Sequence, residues 1–236
     1  MSVNKSRLDR FLAANTPYNR RDVRILIAQQ KVLVDGLPAS AVNQVVDRFS
    51  RIECDGKILQ DKRPVYLMLN KPVGYVSATK DSIHPTVIDL LAGGYDDVHI
   101  AGRLDLNSSG LLLLTNDGEW SSQIASPDTK VSKRYRVELA KPLSIEYIPA
   151  FAAGMYFPFE GITTKPADLE IIDTNTALVT LQEGRYHQIK RMFGRFRNPV
   201  VALERLSIGD LYLDRSLSPG ESRELREDEV ALFTQS

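Results

Sequence analysis

A single cysteine, Cys54, rules out an internal disulfide and a thiolate metal cluster. Histidine is almost as scarce: His84, His99 and His187 are well separated along the chain, so no metal site is expected. No apolar run approaches the roughly 20 residues that a membrane span needs. The N-terminal Met1-Ser2-Val3-Asn4-Lys5 lacks the apolar core of a signal peptide. The expectation is a cytoplasmic protein with no membrane partner and, by default, a monomer. There is no internal repeat and no low-complexity tract. Net charge is also missing, because 30 basic side chains balance 30 acidic ones. Bulk composition therefore gives no hint of a nucleic-acid partner.

What is present is unevenly placed. The 236 residues, 43% hydrophobic, suffice for one large domain or two smaller ones. Residues 1–63 hold 12 Lys and Arg against 7 Asp and Glu, whereas the remainder holds 18 against 23. Such asymmetry fits a basic binding module joined to another domain. In the basic part, Leu8, Phe11 and Leu12 share helical spacing over residues 7–15, and Asn19 stands where it can cap a second helix over residues 20–30. Lys31-Val32-Leu33-Val34-Asp35-Gly36 and Arg51-Ile52-Glu53-Cys54-Asp55-Gly56 each read as a strand running into an Asp-Gly hairpin turn. Arg20, Arg21 and Arg24 cluster on the second helix, which suits either a solvated face or an RNA-binding surface. A composition shift at Lys62-Arg63-Pro64 marks a linker, giving domains at residues 1–60 and 64–236.

The second part reads as α+β with a mostly antiparallel sheet, since many short strands are interrupted irregularly by helices. Strands are expected at residues 65–70, 133–140, 169–172, 177–181 and 211–213. Helices are expected at residues 119–125, 143–155 and 186–196, with an acidic one from Arg226. In the centre, Gly102-Arg103-Leu104-Asp105-Leu106-Asn107-Ser108-Ser109-Gly110 is a polar, glycine-bounded loop. It feeds four leucines, Leu111 to Leu114, that read as a buried strand ending at the turn Asn116-Asp117-Gly118. A lone carboxylate held by a short loop against a rigid strand is well placed as a nucleophile, although a solvated turn aspartate has the same local pattern. Tyr135 lies on the apolar face of a strand among Lys133, Arg134 and Arg136. Arg185, Lys190, Arg191, Arg195 and Arg197 put five cations into thirteen residues of an otherwise acidic domain, which points to phosphate contact.

Two resemblances follow from these residues. Ser6-Arg7-Leu8-Asp9-Arg10-Phe11-Leu12, residues 21–27 and Val32-Leu33-Val34-Asp35-Gly36 resemble the small RNA-binding domain first described in ribosomal protein four of the small subunit. That likeness implies RNA contacts at Arg7, Arg20, Arg21 and Arg24. Over the whole chain, Asn70-Lys71-Pro72, Gly102-Arg103-Leu104-Asp105, residues 113–118, residues 184–192 and Arg205-Leu206-Ser207-Ile208-Gly209 fall in the order of the RsuA family of pseudouridine synthases. The closing segment Leu217-Ser218-Pro219-Gly220-Glu221 fits as well. Tyr186-His187-Gln188-Ile189-Lys190 and Thr164-Lys165-Pro166-Ala167 resemble the member acting on small-subunit (16S) ribosomal RNA, whereas large-subunit relatives tend to carry Asn-Arg in place of Tyr186-His187.

The resemblance implies site-specific isomerisation of uridine to pseudouridine in ribosomal RNA, naked or within a small-subunit assembly particle. It makes Asp105 the catalytic aspartate, Lys190 the basic residue paired with it and Tyr135 the tyrosine stacked on the target base. Arg103 lies near the flipped nucleotide, and Arg185 and Arg191 contact RNA. Attack on the sugar, attack on the base and removal of a sugar proton all remain open to the carboxylate. No redox or hydrolytic step is involved, so no cofactor or metal is implied. Three other readings compete: the same reaction on large-subunit RNA, a non-catalytic assembly protein, and a glycosidase. The last needs two flanking carboxylates, for which Asp117 is the available second acid.

Overall fold

The structure, a computed structural model, describes residues 5–95, 97–126 and 129–234. Residues 1–4, read above for a leader, lie outside them. The chain divides into two compact units, one of Met1–Pro64 with Asp117–Glu119, the other of Val65–Asn116 with Trp120–Ser236. Among the described residues, no helix is long and apolar enough to cross a membrane.

In the first unit, helices α1 (Leu8–Asn15) and α2 (Arg20–Ala28) pack on an antiparallel sheet ordered Leu37–Pro38, Val32–Val34, Ile52–Cys54, Lys57–Gln60. Asn19 caps α2. Its Oδ1 accepts the Arg21 and Asp22 N–H groups at 2.8 and 3.1 Å, and Asp22 accepts the Asn19 N–H in return. Leu8, Leu12, Val23 and Leu26 turn inward onto Val32, Val34, Ile52 and Cys54. Both Asp-Gly pairs have positive φ at each residue (53° and 81°, then 51° and 78°), as a two-residue hairpin of the favoured hand requires. Burial pushes the Cys54 thiol up, so it stays protonated in this core.

The second unit is built on a large sheet. Its main strands are β1 (Tyr66–Lys71), β2 (Ser109–Thr115), β3 (Lys133–Leu139), β4 (Asp168–Ile171), β5 (Thr176–Leu181), β6 (Val200–Ile208) and β7 (Ser222–Glu224), with short His99–Ala101 and Leu211–Tyr212 paired to β2 and β6. They run in the order β4-β5-β3-β6-β2-β1-β7, and every neighbouring pair is antiparallel except β6 with β2. The sheet is covered on both faces, which explains the unbroken leucine run. Leu112 and Leu114 face a core shared with Val137, Val179, Phe151 and Phe193. Leu111 and Leu113 face a second core with Met68, Trp120, Ile124 and Phe233. Helices α4 (Tyr147–Ala153) and α5 (Gln188–Gly194) supply the first core, while α3 (Gly118–Ala125) supplies the second. A short α6 (Glu227–Ala231) ends the described chain.

Several elements depart from the sequence expectation, among them α4, α5 and β6. α4 is shorter than residues 143–155. The Tyr147 N–H bonds to the Ser144 carbonyl in a separate turn, and Gly154 at φ 76° stops the helix. α5 begins at Gln188, not Tyr186, because His187 has φ 49° and a left-handed residue cannot continue a right-handed helix. The nine-residue β6 at the sheet centre is absent from the strands expected above.

Candidate active site

Asp105 sits in the loop of residues 102–108, which links the short strand His99–Ala101 to β2, its antiparallel neighbour. Two buried cations hold this loop by its backbone. Lys71, at the end of β1 and fully buried, donates through Nζ to the carbonyls of Pro72 (3.0 Å), Asp105 (3.1 Å) and Ser108 (2.7 Å). Three donors thus meet three acceptors. Arg205, buried on β6, donates through Nε to the Leu111 carbonyl (2.8 Å) and through its terminal nitrogens to the carbonyls of Arg103 and Gly102 (3.3 Å each). The Ser77 hydroxyl donates to the Leu104 carbonyl (2.8 Å) and accepts the Leu104 N–H (3.0 Å). Gly110, at φ 98°, lets β2 approach β6, since a Cβ there would collide with the Arg205 backbone. Burial lowers the Lys71 ammonium to about 8, the Asp105 charge opposes that shift and Arg205 adds to it.

The other half of the site comes from the segment entering α5. Glu183, itself buried, accepts the Lys165 N–H (2.9 Å), Arg185 Nε (2.9 Å) and Gln188 Nε2 (2.8 Å). Those bonds fix both sides of the left-handed His187. As a result His187 Nε2 lies 3.2 Å from Asp105 Oδ2, and Lys190 Nζ lies 3.6 Å from the same oxygen. Sequence reasoning anticipates the Lys190 contact and misses His187, Lys71 and Arg205. All three stand inside the motifs named above, but nothing in those motifs assigns them a role.

These elements border a cavity of about 320 Å³, lined by Arg103, Asp105, Ser108, Tyr135, Arg185 and His187 among others, a size suited to a small organic group. Tyr135 is buried on β3, where the pairing with β6 shifts register between Arg134 and Tyr135. Such a bulge re-aims a side chain. The Ser108 hydroxyl, buried beside Asp105, has no hydrogen-bond partner among the described residues.

The remaining candidate residues fall into two groups. Arg103 is exposed at the cavity. Arg185 and Arg191 are engaged by Glu183 and Glu160, at 2.9 and 2.7 Å, and the Arg191 guanidinium also covers the Phe157 ring at 4.1 Å. In the first unit Arg7 pairs with Asp9 at 2.8 Å, while Arg20, Arg21 and Arg24 are exposed on α2. A recess of about 430 Å³ in the same unit, with Lys5, Arg10 and Arg48 around Phe11, carries further basic groups that the sequence reading leaves unmarked.

Comparison with known proteins accords with this geometry. The family model for RNA pseudouridylate synthase matches residues 65–194, a span that holds Asp105, Tyr135, His187 and Lys190. The ribosomal small subunit pseudouridine synthase A of Pseudomonas aeruginosa is 49% identical over 226 residues, covering 95% of this chain and 98% of that one. Its counterpart in Pasteurella multocida is 43% identical over 232 residues, covering 96% and 99%. That of Escherichia coli K12 is 40% identical over 227 residues, covering 95% and 98%. Among solved structures, a crystal structure of a pseudouridylate synthase aligns with a TM-score of 0.71 at 38% identity, covering 97% of this chain and all of that one. The chain belongs to the RNA pseudouridylate synthase family.

Proposed function

We propose that this chain isomerises a uridine to pseudouridine in small-subunit (16S) ribosomal RNA, with Asp105 as the catalytic carboxylate. The observation that carries the reading is a single carboxylate at the wall of a cavity, one oxygen facing the nitrogens of His187 and Lys190, with Tyr135 alongside. Support for the small-subunit substrate comes from the relatives named for it, which match 95% or more of the chain. The reaction breaks C1′–N1, turns the freed uracil and forms C1′–C5; C5 loses a proton and N1 gains one. Nothing is oxidised and no water is added. The nucleotide must leave its stack, at a cost of a few kcal/mol, and phosphate contacts offset that cost. In this reading residues 1–60 are an RNA anchor and residues 64–236 the catalytic domain. The protein acts as a cytoplasmic monomer on ribosomal RNA or on an assembling small-subunit particle.

Tritium release from small-subunit RNA transcribed with 5-³H-uridine tests the reaction, because only formation of the C1′–C5 bond expels the C5 hydrogen. Release without free uracil is expected. Free uracil without release indicates a glycosidase instead.

Lys190 acts through charge in this scheme. Lys190→Met should slow single-turnover product formation by about 10- to 100-fold, with His187 still beside Asp105, while Lys190→Arg stays within about fivefold. Equal rates for the two variants remove the electrostatic role. The anchor is tested separately. Replacing Arg20, Arg21 and Arg24 by alanine should weaken RNA binding and flatten the slope of log Kd against log salt by about two to three units, a little under one for each phosphate that no longer has its cation. An unchanged slope places the anchor elsewhere, with the Lys5, Arg10 and Arg48 recess the next candidate.

A further inference from the structure

Two exposed aromatic rings, Tyr186 at the cavity and Phe159 on a hairpin joined to that segment through Arg191, have no part in the scheme above. Tyr186 is 75% exposed, and its inner face stacks on the His187 ring at 3.9 Å and 20°. Phe159 is fully exposed in the turn of a hairpin whose strands are Tyr156–Phe157 and Ile162–Thr163. Arg191 ties the two segments together. One terminal nitrogen donates to the Tyr186 carbonyl (3.4 Å), the other to Glu160 (2.7 Å), and the guanidinium lies over Phe157. Both segments are thus tied to α5, the helix that carries Lys190. The Tyr186 ring, already stacked on His187, spends little entropy when it meets a flat partner. A uridine drawn into the cavity leaves its neighbours with uncovered faces, and aromatic side chains cover such faces whatever the base.

We propose that Tyr186 and Phe159, linked through Arg191, form a stacking rim for the unpaired nucleobases that flank the uridine in the cavity. The proposal rests on the reading of the site as an RNA-modifying one and adds the residues that grip the surrounding strand. Arg185, next to Tyr186, and Arg103, on the loop of Asp105, both line the cavity and can meet the phosphates.

The test uses the full chain and an in vitro transcript of small-subunit ribosomal RNA, with filter-binding isotherms at several salt concentrations. Tyr186→Ala and Phe159→Ala should each raise Kd roughly five- to 150-fold, the range of single stacking contacts, and leave the salt slope unchanged, since every phosphate keeps its cation. Tyr186→Phe, which keeps the ring, should bind as wild type. Tyr186→Trp should show emission quenched by RNA, read against the buried and constant Trp120. An unchanged Kd in either alanine variant, an altered salt slope, or Tyr186→Phe as weak as Tyr186→Ala overturns the rim. Quenching and weakened alanine variants in a protein that releases no tritium support the rim and overturn the catalytic reading, so the two failures are distinguishable.

Discussion

Asp105→Asn should form pseudouridine at least about 1,000-fold more slowly than the wild type, a loss of about 4 kcal/mol of barrier stabilisation. The amide keeps the shape and much of the hydrogen bonding of the carboxylate, but it is neither a useful nucleophile nor a base near neutral pH. RNA affinity should change little or tighten, because the substitution deletes a negative charge from a cavity lined by Arg103 and Arg185, with Lys190 beside Asp105. Asp117→Asn is the control. Asp117 Oδ1 accepts the Glu119 N–H at 3.0 Å at the start of α3, and asparagine serves that position as well as aspartate does. The control should keep most of its activity. Substantial product from Asp105→Asn, or equal collapse of both variants with intact folding, assigns the chemistry to another carboxylate.

Lys71→Met has the second largest effect, and it acts on the loop rather than on the substrate. Removing the ammonium leaves three carbonyls, one buried and two partly buried, without their donor. Each such loss costs about 1–3 kcal/mol, partly offset because a buried charge is removed as well. A net destabilisation of about 3 kcal/mol is expected, seen as a fall in melting temperature of about 6–12 °C. Single-turnover rate should drop by at least about 100-fold, since a small displacement of a reacting group has effects of that size. RNA affinity should change far less than rate. A variant with wild-type rate and stability contradicts the part given to Lys71.

The same lysine predicts a divergence between activity and stability at alkaline pH. Its folded value, about 8, lies below the ordinary 10.5. Below about 8 the ammonium makes all three carbonyl bonds; above it, the neutral amine has only two hydrogens to donate and the loop loosens. Activity should therefore fall through pH 8. Stability runs the other way. The cost of burying the charge is present in full below about 8 and is relieved as the pH rises towards 10.5. Lys133 is also lowered to about 8, by burial first and Arg205 second. Lys133→Gln should retain the alkaline limb of activity if Lys71 sets it.

Much of this is legible in the chain because local chemistry and tertiary structure agree. Asn19 reads as a cap and caps α2, the Asp-Gly pairs read as hairpin turns and make them, and the leucine run reads as a buried strand and is one. The parts that are not legible depend on distant backbone. The left-handed residue ahead of α5 is a histidine, without the glycine that usually signals such a conformation. It is held by Glu183 and Gln188, five residues apart but joined only in the fold. The central strand β6 is hidden because Glu204 and Arg205 interrupt its apolar pattern, and Arg205 is nonetheless buried by carbonyl groups that no side-chain motif announces. Lys71 deceives in the same way. A charge closing an apolar strand reads as a solvated end, yet three carbonyls enclose it.

The central claim is tested most directly by carbodiimide-adduct primer extension across small- and large-subunit ribosomal RNA. The cells lack the gene for this chain and are complemented with wild type or with Asp105→Asn. The prediction is one pseudouridine stop in the small-subunit RNA that disappears with the gene, returns with the wild type and stays absent with Asp105→Asn. No lost stop, a lost stop in the large-subunit RNA instead, or restoration by Asp105→Asn would contradict it.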